Sequence, residues 1–277
     1  MKPSEKKTTQ ILINLVLLVV TAFQIFPIIL MIMNSFRSDK EIKNNPLAMP
    51  SSFMPENFVE TWKKGEYGIA FRNSFFIGIV TILLVLLTAG LCGYALSRLK
   101  VPFKSFFTGY FTMAMSFPAF LYIVPRYFGF SELGLVNNHT GLIMIYCAIY
   151  APFSVLLIRT FLVEIPKELE EAAKVDGCGE LGVLLYIIIP LAKPIIMTVA
   201  LIIFTWTWNE FMWSNTFVVT ESLRTVSTRF YKFTSKYSMD LAKIYTSGVI
   251  TTGPIIVVYL FLQKSFVEGL TAGSVKG

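Results

Sequence analysis

Ser74-Phe-Phe-Ile-Gly-Ile-Val-Thr-Ile-Leu-Leu-Val-Leu-Leu-Thr-Ala-Gly-Leu-Cys-Gly-Tyr-Ala-Leu-Ser97 carries no formal charge from end to end. At 1.5 Å per residue such a helix is about 36 Å long, enough to cross roughly 30 Å of hydrocarbon with some tilt. Four further stretches, 11–33, 105–125, 140–158 and 244–263, are likewise uncharged. A sixth, 194–219, qualifies once Glu210 is admitted near one end, and the piece before it, 181–192, is too short to span and reads as a lead-in. The whole chain agrees with these six crossings: 55% of its 277 residues are hydrophobic and only 15% are charged, where a soluble domain needs about 25%. Disorder and a water-soluble globule are both excluded. Cys92, Cys147 and Cys178 are odd in number and read as free buried thiols, so no disulfide framework is expected. The net charge of +7 is dispersed over several loops; it fits a membrane lipid surface rather than nucleic acid.

Six crossings put both termini on one side. The start, 1–10, has Lys2, Lys6 and Lys7, and the short connection after the second span has Arg98, Lys100 and Lys104 with no acid. The short connection before the fourth span has only Arg126, at its edge. The positive-inside rule then places both termini in the cytoplasm: a tail at 1–10, a six-helix transmembrane domain at 11–264 and a tail at 265–277. Counting every Lys and Arg does not discriminate, with twelve on each side, because the long connections 34–73 and 214–243 hold most of the outer ones and long loops obey the rule poorly. The first apolar run exceeds a signal-peptide core and lacks a small-residue cleavage site, so it is expected to be retained. Pro27, Pro118, Pro152 and Pro254 fall within spans and predict kinks, tolerable where neighbours satisfy the freed carbonyls.

The inner connection 159–193 holds the most specific signal. Ile165-Pro166-Lys167-Glu168-Leu169-Glu170-Glu171-Ala172-Ala173-Lys174-Val175-Asp176-Gly177 predicts a short helix. Proline suits its first position, the three glutamates favour the positive end of its dipole, and Gly177 suits the left-handed stop. Ile165, Leu169, Ala172, Ala173 and Asp176 gather on one side, a shallow surface suited to a docking partner.

The spacing Glu171-Ala172-Ala173, three residues, Gly177, nine residues, Ile187, one residue, Ile189-Pro190 resembles the EAA motif of binding-protein-dependent ABC importer permeases, with isoleucine at 189 for the usual leucine. Asn34-Ser35-Phe36, Asn73-Ser74, Ala95-Leu96-Ser97-Arg98, Gly134-Leu135-Val136-Asn137, Trp208-Asn209-Glu210-Phe211 and 269–277 are similar to the carbohydrate-type, MalG-like branch. The resemblance implies an all-α polytopic membrane protein with six transmembrane helices in the type I ABC importer permease fold, in a bacterial cell membrane. It also implies a sister permease subunit, two ATPase subunits or domains and an extracytoplasmic solute-binding protein, with Glu171, Ala172, Ala173, Asp176, Gly177 and Pro190 coupling the chain to its ATPase. The sequence itself lacks a G-x4-G-K-[ST] phosphate loop, so no cofactor is expected in this chain and ATP is expected on the partner subunits.

Solute contact is expected in the fifth span, where Glu210 would be unfavourable by roughly 2.5–3.5 kcal/mol at the bilayer centre unless it lies near the interface or is paired. Trp206 and Trp208 offer ring faces to a sugar, and Asn209 and Glu210 offer hydrogen bonds to hydroxyls. Arg224, Arg229, Lys232, Lys236 and Lys243, interleaved with Phe230, Tyr231, Phe233 and Tyr237, suggest a basic dock for an acidic binding-protein surface. Gly177-Cys178-Gly179-Glu180-Leu181-Gly182 matches G-x-G-x-x-G, yet it follows a helix where a dinucleotide site requires a strand. With His139 as the only histidine, neither a catalytic triad nor a histidine-rich metal site is expected. A stand-alone secondary transporter or channel is the alternative; it would need midplane ionisable groups, of which only Glu210 is present.

Overall fold

Among the described residues every regular element is a helix, apart from one isolated antiparallel bridge between Thr234 and Met239. The computed structural model describes the backbone over residues 3–234 and 239–271, and side chains over 10–234, 239–261 and 263. Lys2, Lys236, Tyr237, the side chains of Lys6 and Lys7, and the closing 272–277 lie outside these described residues. Four unbroken helices are long and apolar enough to cross a membrane: α1 (Pro3–Ser35), α4 (Tyr67–Arg98), α7 (His139–Glu164) and α13 (Leu241–Thr271). Two bent pairs bring the number of crossings to six if each pair is one span. Contacts divide the chain into one unit from Met1–Tyr67 with Arg229–Gly253, and a second from Gly68–Thr228 with Pro254–Gly277.

In the first unit, α1 is apolar on all sides over 11–33 and has no buried residue from 10 to 33, the condition of a helix solvated by lipid or by another chain. Order begins at its end. Arg37, 2% exposed, donates to Asn34 Oδ1 at 2.8 Å and to the carbonyl of Asn45 at 3.0 Å. Asn57 donates to the carbonyls of Ser35 and Arg37 at 3.0 and 2.9 Å, which draws α3 (Glu56–Lys64) onto that turn. Between them α2 (Asp39–Asn44) opens with a Ser38–Glu41 capping box. From the far end of the sequence, Thr246 on α13 donates to the Ser35 carbonyl at 3.1 Å. The expected basic dock is therefore partly spent internally: Arg229 is fully buried and pairs with Glu66 at 3.3 Å, and Lys232 meets the same carboxylate at 2.9 Å. A side chain committed in this way cannot steer an external partner.

In the second unit α7 is the central element, packed against both α5 (Lys104–Ser116) and α11 (Lys193–Asn209). Leu142, Ile145, Val155 and Ile158 of α7 meet Val85 and Ala89 of α4 and Ile195, Val199 and Ile203 of α11 in one buried cluster. Gly93 allows α4 to approach closely, since a Cβ there would stand 3.1 Å from Ile158 Cγ2 and 3.3 Å from the Arg159 backbone nitrogen.

Two expected spans differ in form. The stretch 105–125 is not one helix: α5 stops at Ser116, Phe117 is extended (ψ 124°), and a 3₁₀ turn at Ala119–Tyr122 leads into α6 (Ile123–Glu132) after an 84° bend. Pro118 is the cause, because it supplies no N–H and excludes the residue before it from helical geometry. Pro27, Pro152 and Pro254 lie inside helices that run on unbroken. The stretch 194–219 is also shorter as a helix than expected. Helix α11 ends at Asn209, and α12 (Met212–Phe217) starts anew because the Glu210 carboxylate accepts the Trp213 and Ser214 N–H groups, each at 2.9 Å. The lead-in 181–192 forms α9 (Glu180–Gly182), a π-helical run at Val183–Ile188 and α10 (Ile189–Leu191), bent 71° from α11. Pro190 cannot donate a backbone bond inside that run, which accounts for the altered register upstream.

Candidate functional site

The tethered short helix. Ile165 leaves α7 in extended geometry, as a residue before proline must, and α8 (Glu168–Val175) begins two residues beyond Pro166 rather than at it. Its stop is as expected. Gly177 has φ +86°, its N–H bonds to the Lys174 carbonyl at 3.1 Å, and the Cys178 N–H bonds to the Ala173 carbonyl at 2.9 Å, the paired bonds of a Schellman motif. Lys174 reaches across that turn to Glu180 at 2.6 Å; this bond above all raises the Lys174 ammonium pKa above its ordinary value.

The faces of α8 differ from the expected ones. Ile165 and Ala173 are half-buried against the core, whereas Leu169, Ala172 and Asp176 are exposed, as are Glu171 and Gly177. Val175 is 88% exposed. The residue that turns inward is Glu170, whose carboxylate lies 2.7 Å from Nε of Arg98 at the end of α4; the two side chains are 10% and 3% exposed. The angle departs from hydrogen-bond geometry, so the contact is a close charge pair, while Arg98 Nη2 donates to the Ile165 carbonyl at 2.6 Å. Arg98 thus holds both the approach to α8 and the helix itself. In the sequence Arg98 reads as a basic residue of the short inner connection and as part of a motif, and Glu170 lies off the side formed by Ile165, Leu169, Ala172, Ala173 and Asp176; the signal for the pair is a carboxylate on the helix and an arginine closing a span. Pro190 is exposed and lies on a different element, the π-to-α segment beside which α8 sits.

The aromatic groove. Helices α5, α7 and α11 enclose an open groove of about 1430 Å³. Trp206 lines it and packs on Tyr150 and Phe153 with ring centroids 5.2 and 5.1 Å away. Asn209 and Glu210 also line it. Glu210 is fully engaged: besides the two α12 N–H groups, its Oε2 accepts the Tyr146 hydroxyl at 2.9 Å. It is hydrogen-bonded, as a half-buried carboxylate requires. Trp208 does not belong to the groove. It is 1% exposed and meets Phe71 and Phe75 edge-on at 5.4 and 5.0 Å, a core residue. Arg126, read from the sequence only as an edge charge, enters the groove wall with its guanidinium 4.8 Å from the Tyr122 ring centre and 5.5 Å from that of Trp213.

The remaining motif residues lace the opposite end of this unit. Asn73 donates to the carbonyls of Ser222 and Arg224 at 2.8 and 3.1 Å, and Ser74 accepts the Val226 N–H at 2.9 Å. Asn137, at φ +58°, accepts the Thr220 N–H at 2.9 Å, and His139 Nε2 lies 2.9 Å from the Leu223 carbonyl oxygen.

Apolar crossings joined by a capped, exposed helix, with a polar-edged aromatic groove among them, define a multi-pass membrane protein. The chain belongs to the family described as binding-protein-dependent transport system inner membrane component, whose profile matches residues 86–271. It is 35% identical over 252 residues to the probable ABC transporter permease protein YurM of Bacillus subtilis, covering 91% of this chain and 84% of that one. It is 31% identical to the arabinooligosaccharides transport system permease protein AraQ of Halalkalibacterium halodurans, with 91% of each chain covered. Among solved structures, a chain of a bacterial ABC transporter involved in the import of the acidic polysaccharide alginate superposes with a TM-score of 0.82 over 96% of this chain and 99% of that one, at 21% identity, a likeness of fold.

Proposed function

We propose that this chain is a transmembrane permease subunit of an ATP-binding-cassette importer that moves a sugar or oligosaccharide across a bacterial cell membrane, driven through α8 by a separate ATPase. The observation that carries the reading is α8 itself: eight residues, closed by a Schellman turn, anchored from within by Arg98 and presenting Leu169, Ala172 and Val175 outward. An apolar face on a short helix outside the spans is a surface that another protein covers. Glu171 and Asp176 ring it with charge, and Gly177 sets its end. ATP binds to the partner ATPase subunits or domains, since this sequence has no phosphate loop. A sister permease and an extracytoplasmic binding protein complete the assembly.

Arg98 and Glu170 bring the connections after the second and fourth spans to one end of the second unit. This supports the topology with both termini in the cytoplasm, α8 on the same side as the ATPase, and tails at 1–10 and 265–277. The groove supports a hydroxylated solute: Trp206 and Phe153 give ring faces, Asn209 a polar edge. Arabinooligosaccharides in the name of one relative, and diacetylchitobiose and melibiose, raffinose and stachyose in those of others, support the saccharide class. Rocking of the spans by rigid motion of α8 is the transport step. The test is Glu171→Lys and Gly177→Asp in the reconstituted transporter: both are expected to insert and assemble yet lose solute-stimulated ATP hydrolysis, and unchanged stimulation in both would refute the coupling role.

A further inference from the structure

The groove of the second unit contains one cation, Arg126, and one carboxylate, Glu210, and no ion pair joins them. Glu210 directs its oxygens to the Trp213 and Ser214 N–H groups and the Tyr146 hydroxyl, so its charge is answered by the protein. Arg126 is not answered. Its guanidinium carbon lies over two rings, 4.8 Å from the centre of Tyr122 and 5.5 Å from that of Trp213, contacts that supply no hydrogen-bond acceptor oxygen. Its N–H groups make no hydrogen bond or ion pair among the described residues, and Nη1 is buried without a partner. Buried donors in proteins are as a rule satisfied, charged ones above all.

We propose that Arg126 is a carboxylate-binding residue of this groove and that the transported saccharide is anionic, a uronate-bearing oligosaccharide. The inference rests on the saccharide reading above and sharpens it. A neutral sugar brings hydroxyls that accept from a guanidinium but leaves its charge uncompensated. A carboxylate supplies the opposite charge and two oxygens matched to the guanidinium fork. The partly exposed rings of Trp206 and Phe153 border the groove for the sugar faces, with Tyr150 buried behind Trp206. The volume of about 1430 Å³ exceeds that of ordinary small-molecule pockets, roughly 300–1,000 Å³, and suits several rings in series.

The test uses the complete transporter, purified with its partner chains. Probes are trisaccharides of galacturonate, mannuronate and glucuronate, each beside its methyl ester, which keeps the rings and removes the charge, with maltotriose as a neutral reference. Affinity is read from tryptophan fluorescence for the wild type, Arg126→Gln and Arg126→Lys. At least one acid should bind the wild type more tightly than its ester, and more weakly as salt is raised. Arg126→Gln should lose about 10- to 100-fold for that acid while its ester changes less than about twofold, and Arg126→Lys should retain part of the preference. An equal loss for acid and ester, or an unchanged affinity for the acid, overturns the proposal and assigns the cation to an acidic residue of a neighbouring chain. If Arg126→Gln fails to assemble, salt-insensitive binding of the acid to the wild type overturns it equally. Binding of maltotriose and the esters alone refutes an anionic solute and leaves the saccharide permease standing; binding of no saccharide refutes both.

Discussion

Removing either partner of the Arg98–Glu170 pair should detach α8 from α4 without unfolding the spans. The pair is almost fully buried, at 3% and 10% side-chain exposure with 2.7 Å between the charged atoms. Deleting one member of such a pair costs about 3–5 kcal/mol, because the other charge stays buried and unanswered. The oblique angle and the surviving bond from Arg98 to the Ile165 carbonyl place Glu170→Ala near the lower figure, about 3 kcal/mol, a factor of roughly 150 in the equilibrium between anchored and detached α8. Arg98→Ala removes both contacts and should lie nearer the upper figure. The assay is hydrogen exchange across residues 168–175, alongside solute-stimulated ATP hydrolysis in the reconstituted complex. Both single variants should lose protection in α8 and lose stimulation, whereas basal hydrolysis by the ATPase persists. The double variant should be less damaged than the sum, since it strands no charge. If the two single effects simply add, or if protection of α8 stays intact in each, the tether is not an interacting pair and the reasoning fails.

Trp206 and Trp208, two residues apart, should separate function from stability. Trp206→Ala should raise the transport KM at unchanged thermal stability, whereas Trp208→Ala should lower stability by about 3–5 kcal/mol through the cavity left among Phe71, Phe75 and Phe204; a reversed pattern in transport and melting measurements would overturn the assignment. In the first unit, the hydrogen bond from Lys232 chiefly, aided by Arg229, holds the Glu66 carboxyl below its ordinary 4.5. A folded-state value lowered in this way adds stability that is complete above about pH 4.5 and is lost as the pH falls through the folded value. Limited proteolysis near residues 229–234 should therefore accelerate below pH 4.5 in the wild type and be pH-independent in Glu66→Gln, an effect of at most about 1 kcal/mol at so exposed a carboxylate.

The crossings were legible because a lipid-facing helix is written as an uncharged run, and α4 and α7 contain the expected segments 74–97 and 140–158. The end of α8 was legible for a similar local reason: a left-handed residue after a helix is written as glycine, and Gly177 adopts it. Less visible were features made by two distant segments. Helical spacing places Trp206 and Trp208 on different sides of α11, but which side meets the groove depends on where α4 and α7 lie. Glu210 was identifiable as a carboxylate needing partners, yet Tyr146, 64 residues earlier, could be found only in three dimensions. Arg126 lies at the edge of a run in which Pro118 predicts a kink, but the size of the bend, 84° after Ser116, and the groove wall it brings Arg126 to depend on three dimensions. The basic loop looked free because Glu66, which receives Arg229 and Lys232, lies more than 160 residues away in sequence.

The bond from Thr246 to the Ser35 carbonyl links positions 211 residues apart, and this separation sets a schedule for biogenesis. At ribosomal rates of about 5–20 residues per second, the interval between the two is roughly 10–40 s. Throughout it, the first helix stands in the bilayer without its late companion, and the turn at Asn34 to Arg37 must be kept in shape by its own short-range bonds and by Asn57. A nascent subunit is thus exposed to membrane proteases longest at its beginning, and truncation anywhere before Thr246 leaves that beginning permanently unaccompanied.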